Sequence, residues 1–559
     1  MKKLLILLTA FMMIMTINVS IASDVKISIS DASIPEFTVT LNGQKIESGR
    51  RQFPLLVYKD ITYFPMTYHD CRFLGLETAW DDETKTLSIE KKNITCAYRD
   101  YDIDFDTLRN DYLSVCSFNI IVNGKEITNS KEEYPLLTFR DVTYFPLTWR
   151  FAHDEFGWEY SFDNEAGLKI NSSNPKTETV NLPNISGSAI FDGEYYYYNG
   201  KSGDANVIYA AFHERIDDAY VIHQLPDTNL SRSASFIKSS DGIYIKYWAG
   251  TSPVMSTQKF YKLDAENRTA EEKKPDSYVY SAHGYSEIEV RNGEITVFCE
   301  NPYFDSATKI TYTKNGESYE MPDLPGRVRV GCRSVNGKFY DRTPENECIK
   351  IFGDKIYFMA YDYETEGYES GIYAIDTNKN TVEKIIDKAE GAFHVYSGWV
   401  AAMQPNSTMI VYGNGGSLYR YLEVTGVSKL IYDGSERPDM VMLASRGGYD
   451  IYACMKSLDG ARTIVLSSFG AYGDGLSVAK EIFSTNTGTY VSSGDIFMAV
   501  YTAGESPDDE VRLFVPGYNE IAGEKVDFRC SDAASWVSIC DNYMLYGTDG
   551  KVVKVNLEK

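Results

Sequence analysis

A turn-and-strand phrase returns along the second two-thirds of the chain, and it limits the fold more than any other feature. It reads "DGEYYYYNG" at 192, "DGIYIKYWAG" at 241, "NGEITVFCEN" at 292 and "GDKIYFMAYDY" at 353. Further copies are "SGWVAAMQPN" at 397, "GGYDIYACMKS" at 447, "SGDIFMAVYTAG" at 493 and "CDNYMLYGTDG" at 540, so the starts fall 44 to 61 residues apart. A period near 50 in a sequence with almost no helical pattern predicts a β-propeller with one four-stranded blade per repeat. The rest of a blade is visible in "SGIYAIDTNKNTVEKII" (370–386) and "SLYRYLEVTGVSKLIY" (417–432), each a strand, a turn and a strand. The last repeat ends in "KVVKVNLEK" with only three strands. "TETVNLP" (177–183), just ahead of the first repeat, would supply the fourth and close the ring. Closure removes the open edges that invite aggregation. The repeats at 292 and 397 are indistinct, so seven and eight blades both stay open.

Ahead of this region a nine-residue phrase occurs twice, "DITYFPMTY" at 60–68 and "DVTYFPLTW" at 141–149. The match extends over residues 37–89 and 118–170. Asn42-Gly43 and Asn123-Gly124 are hairpin-turn dipeptides. Lys59-Asp60 and Arg140-Asp141 mark a second turn before the strands Ile61–Phe64 and Val142–Phe145. After Pro65 and Pro146 the pattern turns helical, and Gly75 and Gly157 are placed to end each helix. A final hairpin turns at Trp80-Asp81-Asp82 in one copy and Phe162-Asp163-Asn164 in the other. Each copy is thus a small α+β module.

The order of asparagine-glycine, proline, turn, "Y-x-P-L" and "L-G…W-D-x-x-T" resembles the N-terminal domain of copper amine oxidases, a module of secreted Gram-positive proteins. Copy two departs from that pattern, with Phe162 for tryptophan and no threonine after Glu165. The resemblance implies two stalk modules, at 36–91 and 118–172, joined by a connector at 92–117 and followed by the propeller at 173–559. The propeller region is similar in pattern to secreted bacterial propeller-like domains of unknown function. The expected fold is therefore mainly β: a seven- or eight-bladed propeller preceded by two small α+β stalk modules.

The family name raises copper, but copper needs clustered imidazoles. The chain has 6 His, and none form H-x-H or H-x-x-x-H pairs. No copper and no other cofactor is expected. His69 and His153 fall in the helical segments, where solvated or capping roles suffice. Asp102, Asp104 and Asp106 alternate as in a calcium loop, yet Thr107 stands where the loop needs glycine and Leu113 where it needs glutamate. Calcium is unsupported there, and alternation with Tyr101, Ile103 and Phe105 reads as a half-buried strand. Nine cysteines leave at least one thiol unbridged, and the close pairs are Cys96 with Cys116, Cys332 with Cys348, and Cys530 with Cys540. Each pair is open between a bridge and two buried thiols.

Residues 1–22, "MKKLLILLTAFMMIMTINVSIA", have the charged start, apolar run and small-residue end of a secretory signal peptide. No later stretch is long and apolar enough to span a bilayer. Formal net charge is -24, without a basic cluster, which excludes binding to nucleic acid through its phosphates. The expected location is extracellular, secreted or at the cell surface of a Gram-positive bacterium.

Catalytic motifs are absent: no G-x-S-x-G, no H-E-x-x-H and no Gly-rich nucleotide loop. Loops expected at one end of the propeller combine aromatic and acidic groups. They are "WAGTSPVMSTQ" (248–258), "ENPYFDSAT" (300–308), "DYETEGYES" (362–370) and "AGESPDDE" (503–510). Trp248, Tyr303, Phe304, Asp305, Tyr363, Glu364, Glu366 and Tyr368 are the candidate ligand contacts, since aromatic faces stack on sugars or cations and carboxylates accept hydrogen bonds. The plainer reading is that tyrosine favours strands and acidic loops are solvated. The expected function is non-catalytic recognition of a cell-wall glycan, a peptide or a surface protein. The alternative is a carbohydrate-active hydrolase or lyase working through acidic residues of the propeller face.

Overall fold

The computed structural model describes residues 26–27, 31–101 and 112–557, except 229, 253–255, 283–284, 302–306, 323, 325–326, 332–333, 336–337, 340–344, 363, 365–368, 398–407, 448–449, 458–461, 469–477, 486–489, 494–497, 502–510 and 515–527. The chain forms two compact units, 1–176 and 177–559. The segment read as a signal peptide and the acidic stretch at 102–106 lie outside the described residues.

In the first unit the turn dipeptides are where the sequence put them. Asn42-Gly43 and Asn123-Gly124 have positive φ at both positions (46° and 88°, 47° and 76°), as a type I′ hairpin requires. Lys59-Asp60 and Arg140-Asp141 do the same without glycine, at φ 52° and 60°, and 51° and 61°. The strands that follow carry the repeated phrase, and they pair with each other. Ile61–Pro65 runs antiparallel to Val142–Pro146, with Phe64 opposite Phe145 at the centre. A seven-stranded sheet extends from this pair to both sides in matching order.

The outer hairpins are exchanged between the copies. Thr86–Lys91 of copy one pairs in parallel with Asn119–Val122 of copy two, and Gly167–Asn171 of copy two pairs in parallel with Val39–Leu41 of copy one. One hydrophobic core holds Val39, Leu41, Phe64 and Phe73 together with Ile120, Phe145, Phe151 and Trp158. The asparagines of the two hairpin turns tie the exchange. Asn42 donates to the Phe73 carbonyl at 2.7 Å and accepts from the Ser172 amide at 2.8 Å. Asn123 donates to the Glu155 carbonyl at 2.8 Å and accepts from the Lys91 amide at 2.9 Å.

Copy two has one more residue than copy one between the threonine that opens its helix and the closing glycine. Tyr68–Phe73 is an α-helix capped by Thr67, whereas Arg150–Glu155 is a π-helix. The wider turn absorbs the insertion. Gly75 and Gly157 follow at φ 82° and 66°.

The second unit is a β-propeller. Among the described residues its strands make eight successive antiparallel meanders; the phrases at 192, 241, 292, 353, 447 and 540 supply second strands, while the one at 397 lies, after Ser397, outside the described residues. The first strands are Ile185–Phe191, Ser235–Ser239, Tyr285–Asn292, Ile349–Phe352, Glu390–Ser397, Val441–Gly447, Tyr490–Ser493 and Trp536–Cys540. Thr177–Val180 completes the last meander by pairing antiparallel with Lys551–Asn556, Thr177 opposite Val555 and Val180 opposite Val552. The first strands of consecutive meanders lie beside one another, as those around a propeller's inner rim do: Ile349–Phe352 by Glu390–Ser397, that strand by Val441–Gly447, and Trp536–Cys540 by Ile185–Phe191.

The "IY" of the phrase is the second strand of a meander, with its tyrosine turned into the packing between sheets. Tyr196, Tyr198, Tyr244, Tyr357, Tyr452 and Tyr546 all sit on second strands and are fully buried. A buried phenol is favoured when its hydroxyl finds a partner. Tyr546 donates to Asp532 at 2.7 Å, and Tyr244 to the turn residue Asp241 at 3.0 Å. Much of the tyrosine content is therefore structural.

Candidate functional site

The strand Ser256–Asp264 pairs with Thr269–Glu272 along one half and meets Tyr278–Ala282 only at Thr257 opposite Ala282. The edge forks between the two partners, and a cleft of ≈ 470 Å³ opens there. Its walls are Thr257, Gln258, Lys259 and Phe260, then Glu272, Lys273 and Lys274, with Tyr280 and Glu287 opposite.

Every charge in the cleft is matched. Lys259 donates to Glu272, which also accepts from Tyr261 at 3.2 Å. That bond raises the Lys259 pKa and holds the Glu272 carboxyl below its ordinary range. Lys274 donates to Glu287, with its ammonium over the rings of Tyr278 (4.7 Å) and Tyr280 (4.6 Å). Lys273 donates to Asp241 at 2.8 Å, and Lys262 reaches the same carboxylate at 3.0 Å. The bond from Lys273, joined by those from Lys262 and Tyr244, outweighs partial burial and holds Asp241 far below the usual carboxylate range. Four lysines face three carboxylates, with Lys262 and Lys273 sharing Asp241, so the local charge is close to balance in a chain of -24. Such a site offers ammonium donors and carboxylate acceptors side by side.

Aromatic surface flanks these groups. Trp248 lies directly opposite Gln258 across the strand pair and shares its face, with 38% of its surface exposed. Tyr247 and Tyr261 stack at 5.9 Å with their planes 7° apart. His223 meets the Tyr247 hydroxyl at 3.2 Å, and burial lowers its pKa.

Of the eight residues singled out in the sequence, the structure describes Trp248 and Glu364. Trp248 belongs to the strand Gly242–Gly250, on the sheet face away from Lys259, and does not line the cleft. Glu364 makes an exposed ion pair with Arg327 at 3.1 Å and does not line the cleft. Tyr303, Phe304, Asp305, Tyr363, Glu366 and Tyr368 lie outside the described residues. Sequence reading missed Lys259, Glu272, Lys274 and Glu287. Each is an ordinary charge on its own segment, and only the forked edge brings them together.

Among the described residues no group of three or more His, Cys, Asp or Glu could hold a metal, and no helix is long and apolar enough to cross a membrane. His153 stacks on Trp149 at 4.0 Å. Cys96 donates to the His69 carbonyl at 3.3 Å, and Cys116 Sγ lies 3.1 Å from Thr138 Oγ1. Cys540 is a free, buried thiol, pushed up to about 12 by burial and the nearby Asp541. Cys348 and Cys530 are buried, and Cys332 lies outside the described residues.

No protein-family model matches the chain, and no curated protein is significantly similar to it. Several solved structures overlap it loosely. The β-propeller domain of the Trilobed protease from Pyrococcus furiosus is 14% identical over 59% of this chain and 94% of its own, with a TM-score of 0.26. The β-propeller domain of Cps50 (Swd1) from Myceliophteria thermophila is 10% identical over 68% of this chain and 98% of its own, at 0.27. Sqt1 of Saccharomyces cerevisiae is 8% identical over 68% and 95%, at 0.35. The propeller architecture itself rests on the strand pairings above.

Proposed function

We propose that this is a secreted or cell-surface recognition protein of a Gram-positive bacterium, whose propeller binds a glycan without altering it. In this reading the duplicated N-terminal unit serves as its stalk. The observation that carries the proposal is the cleft of paired lysines and carboxylates with the Tyr280 ring in its wall. A neutral polyol satisfies neighbouring donors and acceptors through its hydroxyls and lays a ring face on an aromatic side chain. A free cation or anion would have to break an existing ion pair to enter.

The Glu272 carboxylate favours binding over hydrolysis. A glycosidase needs one carboxylic acid kept protonated near neutral pH. Glu272 is instead held as the carboxylate by Lys259. Calorimetry of the full chain with cello-oligosaccharides and N-acetylglucosamine oligomers tests the reading. Expected are binding weakened at least tenfold by Tyr280→Ala and sugars recovered intact by mass spectrometry. Shortened products would favour the hydrolase or lyase alternative, and the absence of binding to any neutral oligomer would remove the glycan reading.

A further inference from the structure

Asparagine followed by glycine is a reactive pair as well as a turn former. The glycine amide nitrogen can attack the asparagine side-chain carbonyl carbon, because glycine has no β-carbon to hinder the approach. The pair begins at Asn42, Asn123, Asn199, Asn292, Asn315, Asn336 and Asn414, of which Asn336-Gly337 lies outside the described residues. The fold gives the others very different surroundings.

All but one of these pairs are held. Asn42 and Asn123 use both ends of their amides in the hairpin ties. Asn199 is buried, donates to the Ala234 carbonyl at 3.0 Å and accepts from the Ala234 amide at 2.8 Å. Asn292 donates to the Ile351 carbonyl at 3.0 Å. At Asn414 the restraint falls on the nucleophile, since the Gly415 amide donates to Glu390 at 2.8 Å. Asn315 and Gly316 instead form the exposed turn between the paired residues Lys314 and Glu317, at φ 53° and 82°. Among the described residues the Asn315 side chain has no hydrogen-bond partner, and a β-carbon at Gly316 would meet nothing within 4 Å. The turn leads from Lys309–Lys314 into Glu317–Glu320, the outermost strand of the third meander, so it can open without disturbing the interior.

We propose that Asn315 is a site of spontaneous deamidation, the first of the described asparagine-glycine pairs to convert in the folded protein. The Gly316 nitrogen loses its proton to solvent base and bonds to the Asn315 side-chain carbonyl carbon. The side-chain nitrogen takes a proton and leaves as ammonia, which closes a succinimide ring. Water then opens the ring at either carbonyl, giving aspartate or isoaspartate. The product bears on a neighbouring tie. Lys314 links the third meander to the fourth, donating to Asp354 at 2.8 Å, Thr377 at 3.1 Å and Asn378 at 2.7 Å. A carboxylate at 315 competes for that ammonium, and isoaspartate adds a main-chain carbon to a turn that fits two residues at positive φ. Conversion therefore loosens the outer hairpin of the third meander. This site does not depend on how the cleft is read.

Incubation of the full chain at pH 8, followed by peptide mass spectrometry, tests the assignment. The peptide carrying Asn315 should show amide-to-acid conversion about tenfold faster than those carrying Asn42, Asn123, Asn199, Asn292 or Asn414. Unfolded in guanidinium, where the holds are gone, all of these peptides should convert at similar rates. Conversion at Asn315 should slow at pH 5.5, because the attacking amide must lose its proton. Isoaspartate should accompany aspartate in the product, and Gly316→Ala and Asn315→Gln should each slow the reaction about tenfold. Hydrogen exchange over residues 309–320 should quicken in the converted protein. Native-state conversion at Asn315 no faster than at the held asparagines, or a product of aspartate alone, would overturn the proposal. Unchanged exchange over 309–320 would overturn the loosening of the hairpin.

Discussion

Phe64 and Phe145 face each other across the antiparallel pairing of Ile61–Pro65 with Val142–Pro146, and the flanking pairs are symmetric about them: Tyr144 with Pro65 and Pro146 with Tyr63. An approximate dyad passes between these two phenylalanines, so the duplicated phrase is the contact through which one copy meets the other. Symmetry extends to the polar ties but not to their environment. Arg51 grips Asp70 with two bonds of 2.8 and 2.7 Å, both side chains almost fully buried. The corresponding position in copy two is Glu132, which takes two bonds from Arg150 at 2.7 and 2.6 Å, with Arg150 about half exposed.

Replacing the tie of the first hairpin tests whether the exchange holds the unit together. Asn42→Ala leaves the Phe73 carbonyl and the Ser172 amide without a side-chain partner, and it puts at φ 46° a residue that tolerates the left-handed region less well than asparagine. A cost of about 1–3 kcal/mol is expected. Asn123→Ala, on the exposed side of the dyad, should cost less. Hydrogen exchange on peptides from 37–46 and 167–172 should rise together in the Asn42 variant. Faster exchange in only one of them would show that the hairpins are not coupled.

Closure of the propeller is tested at Val180, 3% exposed in the strand that completes the last meander. Val180→Asp buries an unpaired carboxylate and should destabilise the second unit by several kcal/mol. Exchange should quicken in Lys551–Asn556, its partner strand, before it does in the fourth meander. Uniform acceleration would mean that closure and interior melt as one.

Burial keeps the His394 imidazole neutral and makes stability depend on pH. Its folded pKa, about 3, lies below the ordinary value near 6.5, so the unfolded chain binds the proton more readily. The contribution is complete above pH ~6.5 and is lost as pH falls toward the folded value. Urea midpoints measured from pH 7.5 to 4.5 should decline, and His394→Gln should remove part of the slope. Identical slopes for both proteins would contradict the assignment.

Thiol chemistry gives an independent check on burial. Cys71 and Cys540 are buried, and burial raises the pKa of both, with Cys540 near 12. Only the thiolate is nucleophilic. Neither should react with iodoacetamide in the native protein at pH 8, and both should react in 6 M guanidinium (about the strength that unfolds even very stable domains). Peptide mass spectrometry after that treatment also shows which of Cys96, Cys116, Cys332, Cys348 and Cys530 are bridged.

Local signals in this chain carried the fold a long way. The asparagine-glycine turns, the glycine ends of the helices, the phrases at 192, 241, 292, 353, 447 and 540, and the closing strand at 177–180 occupy the places their residues suggest. The exchange between copies did not show, for a physical reason. Two similar copies present similar strands, so pairing within a copy and pairing between copies satisfy the same alternation of buried and exposed residues. Ser172 and Lys91 carry no signal that they will meet the other copy's asparagine. The cleft was equally silent, because its charges come from separate segments of strand and turn. Trp248 stood out only as an aromatic residue near a hairpin, and it does not line the cleft.

The closing strand has a consequence for how the chain is made. Thr177–Val180 emerges from the ribosome well before Lys551–Asn556, with more than 350 residues between them. Throughout that interval the early strand has no partner, and the intervening meanders must wait with an open seam. A message truncated anywhere in between yields a product that cannot be sealed. Completeness of translation is thereby written into the tertiary structure, and a protease that attacks open edges could sort finished molecules from unfinished ones.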